Sequence, residues 1–391
     1  MIKSHIAFVA LIIALLMASC DRKPAEKTVA LHSSPLDMDA ISDKLMEKIS
    51  LQPGEKVFMI GVPGEFDSLI VFLGDKITSA GGVYLGTINV DTTSWPNSWN
   101  TDFVKSTKGK SKEELIKLLD GYDLGIMLPG ASPSDAPYAA WQEVLNSGKG
   151  RSVHAHWAGA NDLNGTSIPM DAEINAFYQR VILDSDYAAI GATQTSVEEA
   201  LRKNGATITT PAGTNLSFKI GDRPVTKQDG DVSKAHTDKG RNLIDREIEF
   251  PAGAIRVAPI EETVGGTIVF PQAVWGDQNV EGLVITFKQG KITNIKATTG
   301  LDAVKAILAP GMEGYIFREL GVGFNPLLAI TENNQRILHY GYGSGIVRLS
   351  LGNNAELGGI VGGDFGRITL FKDATLKTGS DVWIKDGKLL E

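Results

Sequence analysis

The sequence predicts an α/β N-terminal domain with a parallel sheet plus a β-rich α+β C-terminal domain. Between residues 36 and 205, short apolar runs alternate with amphipathic helical segments, as in strands joined by crossover helices. From residue 206 to 391 the chain is instead rich in β-branched residues and glycine, which is typical of short antiparallel strands and tight turns. A chain of 391 residues also exceeds the about 250–300 residues at which single cores stop growing.

The elements of the predicted α/β domain follow from the spacing of apolar residues. Helical spacing predicts helices at 36–50, 65–80, 111–119, 171–183 and 187–204, and short apolar runs predict strands at 56–61, 83–90 and 124–128. Ser111 is the expected N-cap of the third helix, because Glu114 follows it three residues later as in a capping box.

The second domain is predicted to be mostly antiparallel, with few helices. Alternating apolar and polar residues predict strands at 265–270, 282–288, 292–297 and 346–351. One helix is predicted at 301–308, and a second is predicted to start or continue from Glu313 to Leu320.

His154 and His156 lie two residues apart in V-H-A-H-W. On a strand, side chains at this spacing point to the same face and could both ligate one metal. A third ligand at a diagnostic spacing is lacking, so the favoured interpretation is a strand edge where two imidazoles make hydrogen bonds.

The first twenty residues have the pattern of an export signal. Lys3 and His5 precede an apolar run at 6–18, and small residues lead to Cys20. The apolar core is shorter than the about twenty residues that span a membrane. The pattern resembles a bacterial lipobox, although Met17 stands where leucine is more usual.

This resemblance predicts a lipoprotein signal peptide at 1–19 and lipidation of Cys20. Residues 20–35, crowded with charged residues and proline, would form a flexible tether. We therefore expect the protein to be exported and lipid-anchored to the periplasmic or cell-surface face of a bacterial membrane. An ordinary cleaved signal with an incidental cysteine is the alternative.

Composition excludes two classes of function. The net charge of −8 argues against nucleic acid as a partner, which would need a basic face. Cys20 is the only cysteine, so its lipidation leaves no thiol for a disulfide or a thiolate nucleophile.

Three motifs stand in a fixed order in the second domain: F-P-A-G-A-I-R-V-A-P from Phe250, F-R-E-L-G-V-G-F-N-P from Phe317 and G-I-V-R-L-S-L-G-N-N from Gly345. With T-P-A-G-T-N-L-S-F from Thr210 and L-Q-P-G-E-K-V from Leu51, the series resembles the aminopeptidase T family of dinuclear metallo-aminopeptidases. The resemblance covers residues 36 to 391 approximately. It implies an aminopeptidase T-like architecture and suggests a homodimer.

The resemblance also implies where the metal ligands of the family fall. Glu319 in the E-L-G motif is retained. The first family glutamate corresponds to Ala254, the histidine of the V-H-x-A-x-G strand corresponds to Arg348, and a His-x-Asp pair corresponds to Arg367 and Thr369.

These replacements oppose metal binding, because a guanidinium stays protonated and cannot ligate a metal. We expect Arg348 to lie within salt-bridge reach of Glu319 and to neutralise a carboxylate that has lost its metal. Glu261 and Glu262 are expected to face solvent, and nothing in the sequence marks Glu356 as part of the site. The hypothesis is an intact pocket without metal.

Three functions remain open at this point. The preferred one is a non-catalytic protein whose former active-site cleft, lined by Glu319, Arg348 and Arg367, binds a peptide or small anionic ligand. It requires no cofactor. The first alternative is a metallo-aminopeptidase with a reduced or relocated site for zinc, cobalt or manganese. The second alternative is a structural or assembly lipoprotein with a vestigial cleft.

Overall fold

The computed structural model describes residues 35–390 apart from 92, 93, 164, 242 and 310–313. The predicted signal peptide, Cys20 and nearly all of the predicted tether therefore lie outside the described residues. Within the described part of the chain, no helix combines the length and apolarity that a bilayer crossing requires.

The described α-helices fall mainly in the first half of the chain. They are α1 (Met38–Ile49), α2 (Asp67–Ser79), α3 (Asp102–Thr107), α4 (Lys112–Leu119), α5 (Ala136–Asn146), α6 (Ala172–Asp184), α7 (Tyr187–Asn204), α8 (Lys234–Thr237), α9 (Leu243–Arg246) and α10 (Leu301–Leu308). Ser111 caps α4 and forms the predicted reciprocal capping box with Glu114, which satisfies two free N–H groups of the first turn.

The described strands are short and continue through both halves of the chain. They are β1 (Lys56–Gly61), β2 (Val83–Asn89), β3 (Leu124–Met127), β4 (Arg151–Ala155), β5 (Ala160–Asp162), β6 (Ser167–Ile168), β7 (Ala206–Thr209), β8 (Asn215–Phe218), β9 (Val225–Gln228), β10 (Glu247–Phe250), β11 (Ala254–Val257), β12 (Gly265–Val269), β13 (Ala273–Trp275), β14 (Gln278–Val280), β15 (Val284–Lys288), β16 (Lys291–Lys296), β17 (Phe317–Gly323), β18 (Arg336–Ile337), β19 (Val347–Gly352), β20 (Gly366–Phe371), β21 (Thr375–Thr378), β22 (Asp381–Lys385) and β23 (Lys388–Leu389).

The first half contains the predicted parallel sheet, in the order β10-β4-β3-β1-β2. Successive side chains of a strand point to opposite faces, so Val57 and Met59 pack against α1 and α2 while Phe58 and Ile60 pack against α4 and α5. Helices therefore cover both faces, as in other parallel sheets.

The fifth strand of this sheet comes from far along the chain. Strand β10, at residues 247–250, lies parallel to β4 and pairs Glu249 with His154 and Phe250 with Ala155. The chain beyond residue 205 therefore completes the first sheet and connects directly to the antiparallel part through β11.

The second half is largely antiparallel, as predicted. One sheet has the order β20-β19-β17-β11-β9, and a larger one has the order β16-β15-β12-β8-β7-β21-β22-β23. The two sheets pack together through aromatic residues, with the ring of Phe317 5.4 Å from Phe218 and 6.3 Å from Phe287. The opposite face of the five-stranded sheet carries polar residues.

The segment around Glu319 is a strand, so the predicted helix from Glu313 to Leu320 is wrong over its described residues. Phe317 and Leu320 are three residues apart, which imitates helical spacing. Strand β17 is nevertheless paired on both sides, with β11 and β19. Tertiary pairing and burial outweigh local spacing for a short central strand.

Candidate functional site

Glu319 lies in the middle of the five-stranded sheet and is fully buried. The register between β17 and β19 shifts between Phe317 and Glu319, and such an irregularity re-aims side chains at functional sites. Phe317 faces the core between the sheets, whereas Glu319 contacts polar side chains of β11 and β19 on the other face.

Two arginines from the neighbouring strands contact this carboxylate. Arg256 Nε of β11 donates to Glu319 Oε2 at 2.9 Å. Arg348 Nε of β19 lies 3.2 Å from Glu319 Oε1, so the predicted ion pair is present, although its N–H does not have hydrogen-bond geometry. The hydroxyl of Ser350 donates to Glu319 Oε1 at 2.9 Å.

Arg318 and Glu356 extend the cluster. Arg318 Nε lies 3.6 Å from Glu319 Oε1, and Arg318 also pairs with Glu356 through its Nη2. Arg256 Nη2 donates to the same Glu356 oxygen at 2.7 Å. Three guanidiniums thus share two carboxylates; we call these five side chains the arginine cluster.

The electrostatics of the cluster are set by the guanidiniums. Burial raises the pKa of Glu319, but the charges of Arg256, Arg348 and Arg318 and the hydrogen bond from Ser350 outweigh it and hold the pKa at about 2. Glu319 is therefore ionised at every physiological pH, and its negative charge is already neutralised by neighbouring arginines.

These residues do not fit the metal centre that the resemblance implies. Oε2 of Glu319 accepts from Arg256, and Oε1 accepts from Ser350 beside Arg348. A divalent cation here would lie beside guanidiniums that repel it and cannot ligate it. Among the described residues, no group of three or more His, Cys, Asp or Glu is arranged to hold a metal.

A cavity of about 230 Å³ lies beside the arginine cluster. Its walls come from the edge of the parallel sheet, from α5 and from the polar face of the five-stranded sheet. The residues that line it are Pro133, Tyr138, Gln142, His154, Leu243, Ile244, Glu247, Glu249, Arg256, Tyr340, Tyr342, Arg348, Glu356 and Ile368.

Two buried groups of this cavity keep polar atoms without a hydrogen-bond partner in the described chain. Arg348 is 4% exposed and its Nη2 makes no such bond. Glu247 is 9% exposed; its Oε1 accepts from Tyr138 at 3.1 Å and from Gln142 at 3.4 Å, whereas Oε2 has no partner. Buried polar atoms of this kind are rare in native proteins and point to a missing ligand or solvent molecule.

Arg367, predicted to line the cleft, is not among the residues that line this cavity. Ser350 pairs with Ile368 and Leu351 pairs with Arg367 across β19 and β20. Directly opposed residues share a face, so Ile368 faces the cavity side with Ser350. Arg367 faces the other way, where its guanidinium lies 3.9 Å from the ring centroid of Trp275 and Nη2 donates to Val274 O at 3.1 Å.

The other replaced ligand positions carry no metal-binding group either. Thr369 pairs with Leu349 and shares the face of Arg367. Ala254 is buried in an apolar cluster with residues that include Tyr342 and Leu328. On the cavity face of β20 the chain has Ile368 and Leu370, so a shift of the alignment by one residue also supplies no histidine or aspartate.

The two histidines of the V-H-A-H-W segment lie close together near this cavity. The ring centroids of His154 and His156 are 5.6 Å apart. His154 is buried beside Tyr138 and lines the cavity, whereas His156 lies 5.0 Å from the ring of Tyr340. His154 therefore forms part of the cavity wall, whereas His156 is not among the residues that line the cavity.

Several site residues escaped the sequence analysis. Arg256 stands two residues after Ala254 in the first motif, and only the pairing of β11 with β17 brings it to Glu319. Glu356 was not recognised as part of the site. Glu261 is not solvent-facing as predicted; it is buried, pairs with Arg223 and accepts from Asn354 Nδ2 at 3.0 Å. Glu262 is exposed, as predicted.

Solved structures with a similar fold include the following two. AmpT (aminopeptidase T) from Thermus thermophilus aligns with a TM-score of 0.59 at 14% identity, over 90% of this chain and 99% of that chain. The 2,5-dihydroxypyridine dioxygenase from Pseudomonas putida KT2440 aligns with a TM-score of 0.57 at 13% identity, over 90% and 96%. No protein-family model and no curated sequence matches the chain.

The architecture is therefore a two-part α/β fold that these two structures also have. More particularly, the chain has an aminopeptidase T-like fold, which confirms the architecture that the motif series predicted. At these identities the likeness concerns the fold alone, and the two similar structures carry the names of different activities. The function has to be argued from the site.

Proposed function

We propose that the protein binds a small ligand with a carboxylate group in the cavity beside the arginine cluster, without a dinuclear metal and without catalysing peptide hydrolysis. The observation that carries this proposal concerns Arg348, which lines the cavity and whose buried Nη2 makes no hydrogen bond in the described chain. Leaving such a donor unsatisfied costs about 1–3 kcal/mol. A carboxylate oxygen in the cavity would remove that cost.

The charge balance supports an anionic group at this end of the cavity. The arginine cluster contains three guanidiniums and two carboxylates, which leaves one positive charge in excess within the cluster itself, before Glu249 of the facing wall is counted. Guanidinium and carboxylate form charge-assisted hydrogen bonds of good geometry. A ligand carboxylate at Arg348 neutralises this excess and completes the cluster.

A metallo-aminopeptidase is the less favoured function for this cavity. Its chemistry needs metal ions that activate water and polarise the scissile carbonyl. Here the retained Glu319 is engaged by Arg256, Arg348 and Ser350, so the donor set opposes the ions. We derive no hydrolytic step from these residues.

We also propose that the protein acts at a membrane surface as an exported lipoprotein. The support is the sequence pattern that ends in Cys20, because an acylated cysteine holds a folded protein to a bilayer. Mass spectrometry of the mature N-terminus is expected to find a lipid-modified Cys20, and the Cys20→Ala variant is expected to leave the membrane fraction. An unmodified N-terminus at another residue would contradict this proposal.

Ligand binding is tested by calorimetry with a panel of small carboxylic acids and N-acetylated amino acids. Arg348→Gln is expected to weaken the best binder by about tenfold or more, since it removes a charge-assisted hydrogen bond. Arg241→Gln is the matched control, because Arg241 is exposed and lies outside the cavity. Equal affinities of the wild type and Arg348→Gln would overturn the proposal.

A further inference from the structure

The cavity has one wall with guanidinium groups and one wall with carboxyl groups. One wall belongs to the five-stranded sheet and contributes Arg256 and Arg348. The other wall belongs to β10 at the edge of the parallel sheet and contributes Glu247 and Glu249. A ligand in this space therefore lies between a basic and an acidic surface.

The acidic wall resembles the basic wall in having an unsatisfied buried atom. Oε2 of Glu247 has no hydrogen-bond partner in the described chain, although Oε1 accepts from Tyr138 and Gln142 of α5. A carboxyl oxygen with free lone pairs is a site for an N–H or O–H donor. A ligand that has only a carboxylate would leave this atom unsatisfied.

The size of the cavity limits the ligand. A volume of about 230 Å³ equals roughly eight water molecules at about 30 Å³ each. That space accepts on the order of ten non-hydrogen atoms, which is the size of a single amino acid. A small molecule with both kinds of charged group therefore matches the space and the walls of this cavity.

We propose that the ligand is a small zwitterion of amino-acid size, with its carboxylate at Arg348 and its ammonium group at Glu247. This inference rests on the proposed carboxylate site and adds the second anchor. Each anchor satisfies one buried atom that the protein leaves without a partner. The positive end of the ligand lies at the acidic wall, and its negative end lies at the basic wall. The aromatic rings of Tyr138 and His154 flank the acidic end.

The surroundings of Glu247 support an ammonium group there. Burial raises the pKa of Glu247 to about 8, and the nearby charges of Glu249 and Glu356 act in the same direction. The hydrogen bonds from Tyr138 and Gln142 lower the pKa but do not offset this rise. His154 of β4 lines the same end of the cavity. A cation beside Glu247 favours the ionised carboxylate, so the acidic wall gains an opposite charge that the protein itself does not supply.

The test compares ligands that differ by one charge. Free amino acids are screened by calorimetry on the full-length protein, and the best binder is then compared with its N-acetyl derivative, which keeps only the carboxylate, and its amide, which keeps only the ammonium group. The free amino acid is expected to bind about ten- to hundredfold more tightly than either derivative. This comparison uses the wild type alone, so it does not depend on the folding of a variant.

Two variants assign the anchors. Glu247→Gln is expected to reduce the affinity for the amino acid to the level of the affinity for the N-acetyl derivative. The affinity for the N-acetyl derivative should change little. Arg348→Gln is expected to abolish the difference between the amino acid and its amide. Glu262→Gln, an exposed substitution of the same type, is expected to leave all affinities unchanged.

The outcomes separate this inference from the proposed function. If the N-acetyl derivative binds as tightly as the amino acid, the carboxylate site stands and the zwitterion is overturned. Binding of the amide alone would overturn both the carboxylate site and the zwitterion. The same conclusion would follow if no compound of the amino-acid screen or of the carboxylic-acid panel bound.

Discussion

At the scale of single residues, the arginines around Glu319 take the electrostatic role that cations have in a metal centre. A buried carboxylate needs opposite charge and hydrogen bonds to remain ionised. Arg256 and Arg348 provide the charge from both neighbouring strands, and Ser350 provides a hydrogen bond. These contacts keep the carboxylate of Glu319 in the ionised state.

Glu319→Gln is expected to remove part of the acid sensitivity of the protein. The folded-state pKa of Glu319 is lowered from 4.5 to about 2, so its stabilisation is complete above pH 4.5 and is lost as the pH falls towards 2. The variant should be less stable by about 3 kcal/mol at pH 7 and show a flatter decline below pH 4.5. Urea unfolding between pH 7 and 2.5 measures the free energy of unfolding of both proteins. An equal loss of stability below pH 4.5 in the wild type and the variant would contradict this prediction.

Glu247→Gln is expected to act in the opposite direction. The pKa of Glu247 is raised from 4.5 to about 8, so the folded state holds a proton that the unfolded state releases, and stability falls as the pH rises from 4.5 to 8. The free energy of unfolding of the variant should exceed that of the wild type by roughly 2–4 kcal/mol at pH 8 and by little at pH 4. Glu262→Gln, a substitution of an exposed glutamate, is the control. A wild-type stability that does not change between pH 4.5 and 8 would contradict the raised pKa of Glu247.

At the scale of elements, β17 holds the cluster together because it has glycine beside Arg348. A Cβ at Gly321 would lie 2.9 Å from Arg348 Nε. The side chain of Arg348 crosses this position to reach Glu319. The E-L-G motif therefore supplies both the buried carboxylate and the space for its partner.

Gly321→Ala is expected to displace the Arg348 guanidinium and to weaken ligand binding by about tenfold. The added methyl group meets a side chain that must shift, so a loss of stability of about 1–3 kcal/mol accompanies it. Gly265→Ala is the matched control, since that strand glycine has no atom within 4 Å of an added Cβ. Unaltered binding by Gly321→Ala would show that the guanidinium position does not govern the site.

The sequence predicted elements well where the pattern was long or capped. The capping box of Ser111 and Glu114 and the buried strand at 56–61 are both present. The predicted helix at 313–320 is wrong over its described residues, because a short apolar spacing fits a helix and a buried strand equally. Its identity as a strand depends on β11 and β19, which pair with it from distant parts of the chain.

At the scale of the whole molecule, the two halves share structure. Strand β10 completes the parallel sheet, and Phe250 is buried with its ring 5.4 Å from Tyr187. One apolar cluster contains Val57 of the parallel sheet and Val347 of the antiparallel sheet. The cavity lies where these parts meet, so its walls depend on both.

Phe250→Ala is expected to lower the stability of the whole protein in a single transition. Truncating a buried phenylalanine costs about 3–5 kcal/mol, and the shared core transmits this loss to both sheets. Urea unfolding followed by tryptophan fluorescence and by circular dichroism should give coincident curves. Two separate transitions, of which only one shifts, would indicate halves that unfold independently.

The candidate site was only partly accessible from the sequence. The retained Glu319 and its contact with Arg348 followed from motif order and charge. Arg256, Glu247 and Glu249 could not be placed, because their convergence depends on the pairing of β11 with β17 and of β10 with β4. Arg367 lies on the face of β20 away from this cavity, because strand alternation reverses the face at each residue.

The arginine cluster in place of a dinuclear metal is the central claim, and metal stoichiometry tests it most directly. The purified protein is incubated with zinc, cobalt or manganese, freed of excess metal and analysed by mass spectrometry, with an aminopeptide assay on the same samples. We predict no stoichiometric metal and no turnover, with Glu319→Gln giving the same result. Two equivalents of metal, with turnover abolished by Glu319→Gln, would contradict the account.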